Sequence, residues 1–159
     1  MRNYLIICCI LTAIGCQGRK GADIGQLPSI DLLLPDSLTH INTKDVREGR
    51  PVALLYFSPD CEHCQNEITS ILHNMDSLNN VLFYFITNDS LDRIRVFKST
   101  YLLNKYSNIT VGWDNQFFFP RQFKNAAPPY LVMYDRKLKQ IGTINGETEA
   151  SRIITMINN

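Results

Sequence analysis

The hydrophobic period of this chain changes abruptly near residue 60, and two cysteines sit at the change. Val52 to Phe57 is a continuous apolar run of strand length, the pattern of a strand buried on both faces, and Pro59 ends it. Beyond it Cys64, Ile68, Ile71, Leu72 and Met75 recur at three- and four-residue steps, which is one face of a helix. Cys61 and Cys64 therefore form a C-x-x-C pair at a strand-to-helix junction. Residues three apart lie on one helical face, close enough for a disulfide. Cys61 is placed at the helix N-terminus, where free N–H groups and a partial positive charge stabilise a thiolate. Cys64, one turn in, is expected to be more buried. The division of labour follows: Cys61 attacks a substrate sulfur, and Cys64 attacks the mixed disulfide to release the product.

The rest of the chain extends the alternation. Val81 to Ile86 reads as a second buried strand. Asp89 or Ser90 can cap a helix with Leu91, Ile94, Phe97 and Tyr101 on its inner face. Ile109 to Trp113 reads as a short strand. Residues 115–125 are aromatic but contain Pro120, so any helix there is short or broken. Strands follow at Tyr130 to Tyr134 and Gln140 to Ile144, then a helix carrying Ala150, Ile153, Ile154 and Ile157. The order β-α-β-α-β-(short α)-β-β-α predicts an α/β sandwich, a central sheet with helices on both faces. At 159 residues there is room for one domain. Lys and Arg total 16 against 15 Asp and Glu, which leaves no basic field for nucleic acid.

Three further cysteines lie in the first sixteen residues. Arg2 precedes eleven largely apolar residues, Tyr4 to Ile14, followed by Gly15-Cys16. This is the pattern of an export signal, too short to span a bilayer, which takes about 20 residues. Ala13-Ile14-Gly15-Cys16 resembles a bacterial lipoprotein lipobox, which implies cleavage before Cys16 and a lipid on its sulfur. The expected organisation is a signal peptide at 1–15, the lipidated Cys16 with a flexible tether to residue 29, and one domain over 30–159. Removing the signal takes Arg2 with it and leaves 15 basic and 15 acidic residues. An exported chain meets an oxidising compartment where disulfides persist. Cys61 and Cys64 would then be its free thiols.

The strand–C-x-x-C–helix junction within this order resembles the thioredoxin-like family. Ala126-Ala127-Pro128-Pro129 before the Tyr130 to Tyr134 strand and Asp135 is a second matching feature. In that family a cis-proline precedes this strand and faces the disulfide, which by the spacing is Pro129, with Pro128 the other candidate. The resemblance implies a three-layer sandwich around a mixed sheet, with Pro128, Pro129 and Tyr130 in the substrate contact. The preceding residue is usually Thr or Val; Pro128 offers no backbone N–H to a bound peptide. Cys61-Glu62-His63-Cys64 with Glu67 is most similar to the TlpA-like, cytochrome-c-maturation type of exported thioredoxin. Members of that type carry C-E-x-C and a glutamate three residues beyond the second cysteine. Leu55 stands where thioredoxin proper buries an acid, and Asp60 where the family has tryptophan. His63 occupies the position held by histidine in oxidising members such as DsbA and protein disulfide isomerase, where it stabilises the thiolate of the first cysteine.

The expected function is therefore a membrane-anchored thiol–disulfide oxidoreductase facing the periplasm of a Gram-negative-type bacterium. Its site is Cys61, Cys64, Glu67 and His63. Its substrates are protein thiols and disulfides, its redox partner a membrane electron donor or acceptor, and its anchor a bilayer contact through Cys16. The dithiol is the redox centre, so no cofactor or metal is called for. Glu62, Glu67 and anchoring point to a reductase, and His63 to an oxidase or isomerase. The rival of a different class is a non-catalytic lipoprotein that binds a partner or metal through this fold. Zinc needs four ligands, and His40, His63 and His73 close such a site around the cysteines awkwardly. A peroxiredoxin would need a proline seven residues before its cysteine, where Leu54 stands.

Overall fold

The computed structural model describes residues 25–124 and 126–158. The expected signal peptide, Cys16 and residues 17–24 of the tether lie outside the described residues. The elements run β1 (Asp31–Leu33), β2 (His40–Asn42), β3 (Val52–Tyr56), α1 (Glu62–His73), α2 (Met75–Leu78), β4 (Leu82–Thr87) and α3 (Leu91–Thr100). They continue β5 (Ile109–Trp113), α4 (Phe118–Gln122), β6 (Tyr130–Tyr134), β7 (Gln140–Asn145) and α5 (Ala150–Asn158).

The seven strands form one mixed sheet in the order β2-β1-β5-β4-β3-β6-β7. β3 lies inside it, parallel to β4 and antiparallel to β6. This explains its unbroken apolar run: a strand flanked and covered on both faces has no solvent side. Ala53, Leu55 and Phe57 face one layer with Phe83, Phe85, Leu131 and Met133. There Cys64, Ile68 and Ile71 of α1, Ile94 and Phe97 of α3, and Ala150 and Ile153 of α5 close the core. Val52 and Leu54 face the other layer with Ile86, Val132 and Tyr134, covered by Ile30, Leu32 and Phe119 of α4. The sheet thus carries helices on both faces, as expected. At Gly112 a Cβ would lie 2.7 Å from Leu32 Cβ, so β5 needs glycine where the N-terminal segment crosses it.

The structure departs from the sequence expectation in three places. Residues 30–50, whose short apolar stretch Ile30 to Leu34 and following polar turns announce no strand pair, hold the antiparallel pair β1–β2, joined to β5 at Leu33–Trp113. The helix expected to run through Met75 breaks at Asn74. Its amide side chain donates to the Ser70 carbonyl (2.9 Å), the acceptor its own backbone N–H would take, and that N–H turns to Ile71 instead (3.1 Å). The ordered domain also begins before residue 30. Gln140 N–H donates to the Gly25 carbonyl and Leu27 N–H to Leu138, while the Leu27 side chain packs on the second core layer. Residues 25–29 gain an edge pairing and an apolar contact, which their place at the end of the expected tether did not disclose.

Candidate active site

The turn between β3 and α1 is built by residues 57–61. Phe57 N–H still donates to Ile86 of β4, Cys61 N–H donates to the Ser58 carbonyl (3.1 Å), and Gln65 Nε2 donates to the Pro59 carbonyl (2.7 Å). Cys61 is the N-cap of α1, with extended backbone. Its sulfur accepts from the backbone N–H of Cys64 at 3.3 Å, in the place a serine or aspartate oxygen usually takes. Cys61 is half-buried and Cys64 fully buried, both as free thiols. Burial pushes the Cys64 thiol far up from its ordinary value, and its contact with Cys61 adds to this.

Two more loops reach the C-x-x-C turn. The peptide bond between Pro128 and Pro129 is cis, which makes Pro129 the cis residue. The Cys61 thiol lies 3.9 Å from the Pro128 carbonyl oxygen. Pro129 is buried, and its carbonyl accepts from Gly146 N–H at 2.9 Å, joining this loop to the one after β7. From that loop Glu147 Oε2 meets His63 Nδ1 at 2.6 Å. A carboxylate only accepts, so this contact puts a proton on Nδ1. One turn below Cys64, Glu67 is 1% exposed, and neither carboxyl oxygen has a hydrogen-bond partner. Burial pushes its carboxyl up to about 8, against the opposing pull of the Thr148 backbone and with a contribution from the Glu147 charge.

No protein-family model matches the chain, and neither does any curated protein. Solved structures do. A secreted disulfide oxidoreductase of Mycobacterium tuberculosis, homologous to E. coli DsbE, superposes with a TM-score of 0.67 at 16% identity, covering 81% of this chain and 94% of its own. A thioredoxin-family thiol:disulfide interchange protein of Chlorobium tepidum gives 0.68 at 15% identity, covering 87% and 97%. A peroxiredoxin-like protein of Aquifex aeolicus gives 0.67 at 12% identity, covering 85% of each chain. The fold is thioredoxin-like. Identities this low speak for the fold alone, so the function rests on the site.

Within this thioredoxin-like fold, Cys61, Cys64, Pro128, Pro129, Glu67 and His63 converge from two loops and the first turns of α1. Tyr130 does not join them. Its ring packs against Phe119 and Phe123, in the layer across the sheet from α1, at centroid distances of 6.3 and 6.2 Å. Strand alternation dictates this, because Leu131 takes the α1 side. Of the aromatic residues in 115–125, Phe119 is core and Phe117 is exposed. Among the described residues no three His, Cys, Asp or Glu side chains gather as a metal site, and no helix is long and apolar enough to cross a membrane.

Two features of the site had no sequence signal. Glu147 is 84 residues from its partner His63. Arg93 of α3 bridges Asp60, next to Cys61, and Asp89 (3.2 Å). Beside that bridge a cavity of about 400 Å³ opens between the C-x-x-C turn and α3, walled by Pro59, Val96, Phe97 and Tyr101.

Proposed function

We propose that this protein is an exported, membrane-anchored thiol–disulfide oxidoreductase that reduces protein disulfides. The observation that carries the reading is the asymmetry of the pair: a half-buried Cys61 capping a helix, and a fully buried Cys64 beneath it with a suppressed tendency to ionise. The Cys61 thiolate attacks one sulfur of a substrate disulfide. A Cys61–substrate bond forms, the substrate S–S bond breaks, and the departing sulfur takes a proton from solvent. Cys64 then gives its proton to the Glu67 carboxylate and attacks Cys61 Sγ. The Cys61–substrate bond breaks, the second substrate sulfur leaves and takes a proton from solvent, and the Cys61–Cys64 disulfide remains. Two electrons have passed to the substrate, and a membrane electron donor restores the dithiol. A carboxyl that titrates near neutral pH suits both duties: as a base when Cys64 attacks, and as an acid when the disulfide is reduced again.

The reductive direction is supported by the partner of His63. A bare imidazolium beside Cys61 would stabilise the thiolate and make the disulfide oxidising. Here the imidazole Nδ1 is bound by the Glu147 carboxylate at 2.6 Å, which sets an anion beside the ring. The reduction potential of the pair tests this. A value near that of thioredoxin, about −270 mV, is expected; one near that of DsbA, about −120 mV, would make the protein an oxidase.

Export and anchoring rest on the first sixteen residues. In bacteria fed radiolabelled palmitate, the protein is expected to take up label and the Cys16→Ala variant to lose it. Label persisting in the variant refutes anchoring through this sulfur.

A further inference from the structure

The loop between β7 and α5 lies along α1 and meets it at successive turns. Glu147 meets His63, the backbone of Thr148 approaches Glu67, and Glu149 Oε2 accepts from the Ser70 hydroxyl at 2.6 Å. The Ser70 oxygen in turn accepts from Ala150 N–H at 3.0 Å, which starts α5. His63, Glu67 and Ser70 are one stripe of α1, at i, i+4 and i+7, so the loop is fixed in register over the stripe that carries the buried carboxyl. Gly146, at φ +92°, turns the chain into this path while its N–H holds the Pro129 carbonyl.

We propose that Glu147 is a positioning residue that joins His63 of the C-x-x-C turn to the buried Glu67 and governs proton transfer between Cys64 and Glu67. The proposal rests on the reading that Glu67 takes the Cys64 proton. Glu67 lies one turn from both His63 and Cys64 on α1, and the loop passes over it between the Glu147–His63 and Glu149–Ser70 contacts. The Glu147 carboxylate opposes a second negative charge at Glu67 and so keeps the proton there. Its own charge is offset to the extent that His63 is protonated. The exposed end of the arrangement thus sets how readily the buried end ionises. During resolution the proton leaves Cys64 Sγ, binds a Glu67 oxygen and later passes to solvent; no electron moves in this transfer.

The resolving step can be isolated. The reduced protein is treated with 5,5′-dithiobis(2-nitrobenzoate) so that Cys61 carries thionitrobenzoate, and its release by Cys64 is followed between about pH 5 and pH 9. In Glu147→Gln the midpoint of the rate profile is expected to move to lower pH by about half a unit, a roughly threefold faster release on the acid side. In Glu147→Asp it should stay near the wild type, and in His63→Ala, where the carboxylate is uncompensated, it should move up. If Glu67→Gln abolishes the pH dependence but Glu147→Gln leaves the midpoint in place, the role of Glu147 is overturned while that of Glu67 stands. If Glu67→Gln keeps the wild-type profile, Glu67 does not take the proton and both fail.

Discussion

Cys61→Ser is expected to leave the protein inert in an insulin-reduction assay, with a loss of about a thousandfold or more, while thermal unfolding barely changes. The serine oxygen can still cap α1 by accepting from the Cys64 N–H, so the helix start survives. What is lost is the nucleophile, because a hydroxyl does not exchange with disulfides. Cys64→Ser should fail differently. Cys61 still attacks, but nothing resolves the adduct, and the protein accumulates as a mixed disulfide visible as a mass increase that dithiothreitol removes. The two phenotypes together test the order of attack. If Cys61→Ser forms the stable adduct and Cys64→Ser does not, the roles are reversed. If Cys61→Ser matches the wild type, the dithiol reading fails, and the fold serves a non-catalytic binder.

Glu67→Gln should change stability more than a single substitution usually does. The Glu67 carboxyl is buried without a hydrogen bond and is held up to about 8 against an ordinary 4.5. The folded protein therefore keeps a proton that the unfolded chain releases. Below about pH 4.5 both states are protonated, and Glu67 contributes its full stability. As pH rises towards 8 the unfolded state gains by ionising, and the folded state loses up to about 5 kcal/mol relative to its acid value. Glutamine has no proton to lose. Urea unfolding at acid and alkaline pH is expected to show a steep loss of stability for the wild type and a shallow one for Glu67→Gln, with the variant ahead at alkaline pH. Parallel profiles would mean that Glu67 ionises freely in the folded state. The substitution also removes the proposed acceptor for the Cys64 proton, so stability and turnover should move in opposite directions.

How far the sequence discloses this molecule depends on whether a feature is local. The β3–α1 junction is fully legible, because period, Pro59 and the cysteine spacing all fall within 24 residues. The cis-proline loop is legible through its distance from Asp135. The β1–β2 pair is not, since three-residue strands with one fully buried residue between them carry no readable alternation. The break at Asn74 depends on a side-chain bond that competes with the helix, and periodicity is blind to it. Tyr130 follows the cis-proline directly, yet the pleat turns it to the far layer, so adjacency in sequence was a poor guide to adjacency at the cysteines. Glu147 reaches His63 only after β6, β7 and the final turn have folded, and no pattern in its own neighbourhood announces it.

The bond from Gln140 N–H to the Gly25 carbonyl also gives the molecule an orientation. β6 runs antiparallel to β3, with Tyr130 beside Tyr56 and Tyr134 beside Val52. The turn after β6, where Gly25 and Leu27 are fastened, is therefore at the pole of the sheet opposite Cys61. A lipid on Cys16 would hold the domain from behind. The nine residue steps from Cys16 to Gly25 reach at most about 30 Å, so a lipid on Cys16 would keep the bilayer within that distance of the pole opposite Cys61. With such an anchor, Cys61 would lie at the pole away from the point of attachment, and a donor embedded in the membrane would need a domain that reaches past the sheet to meet it.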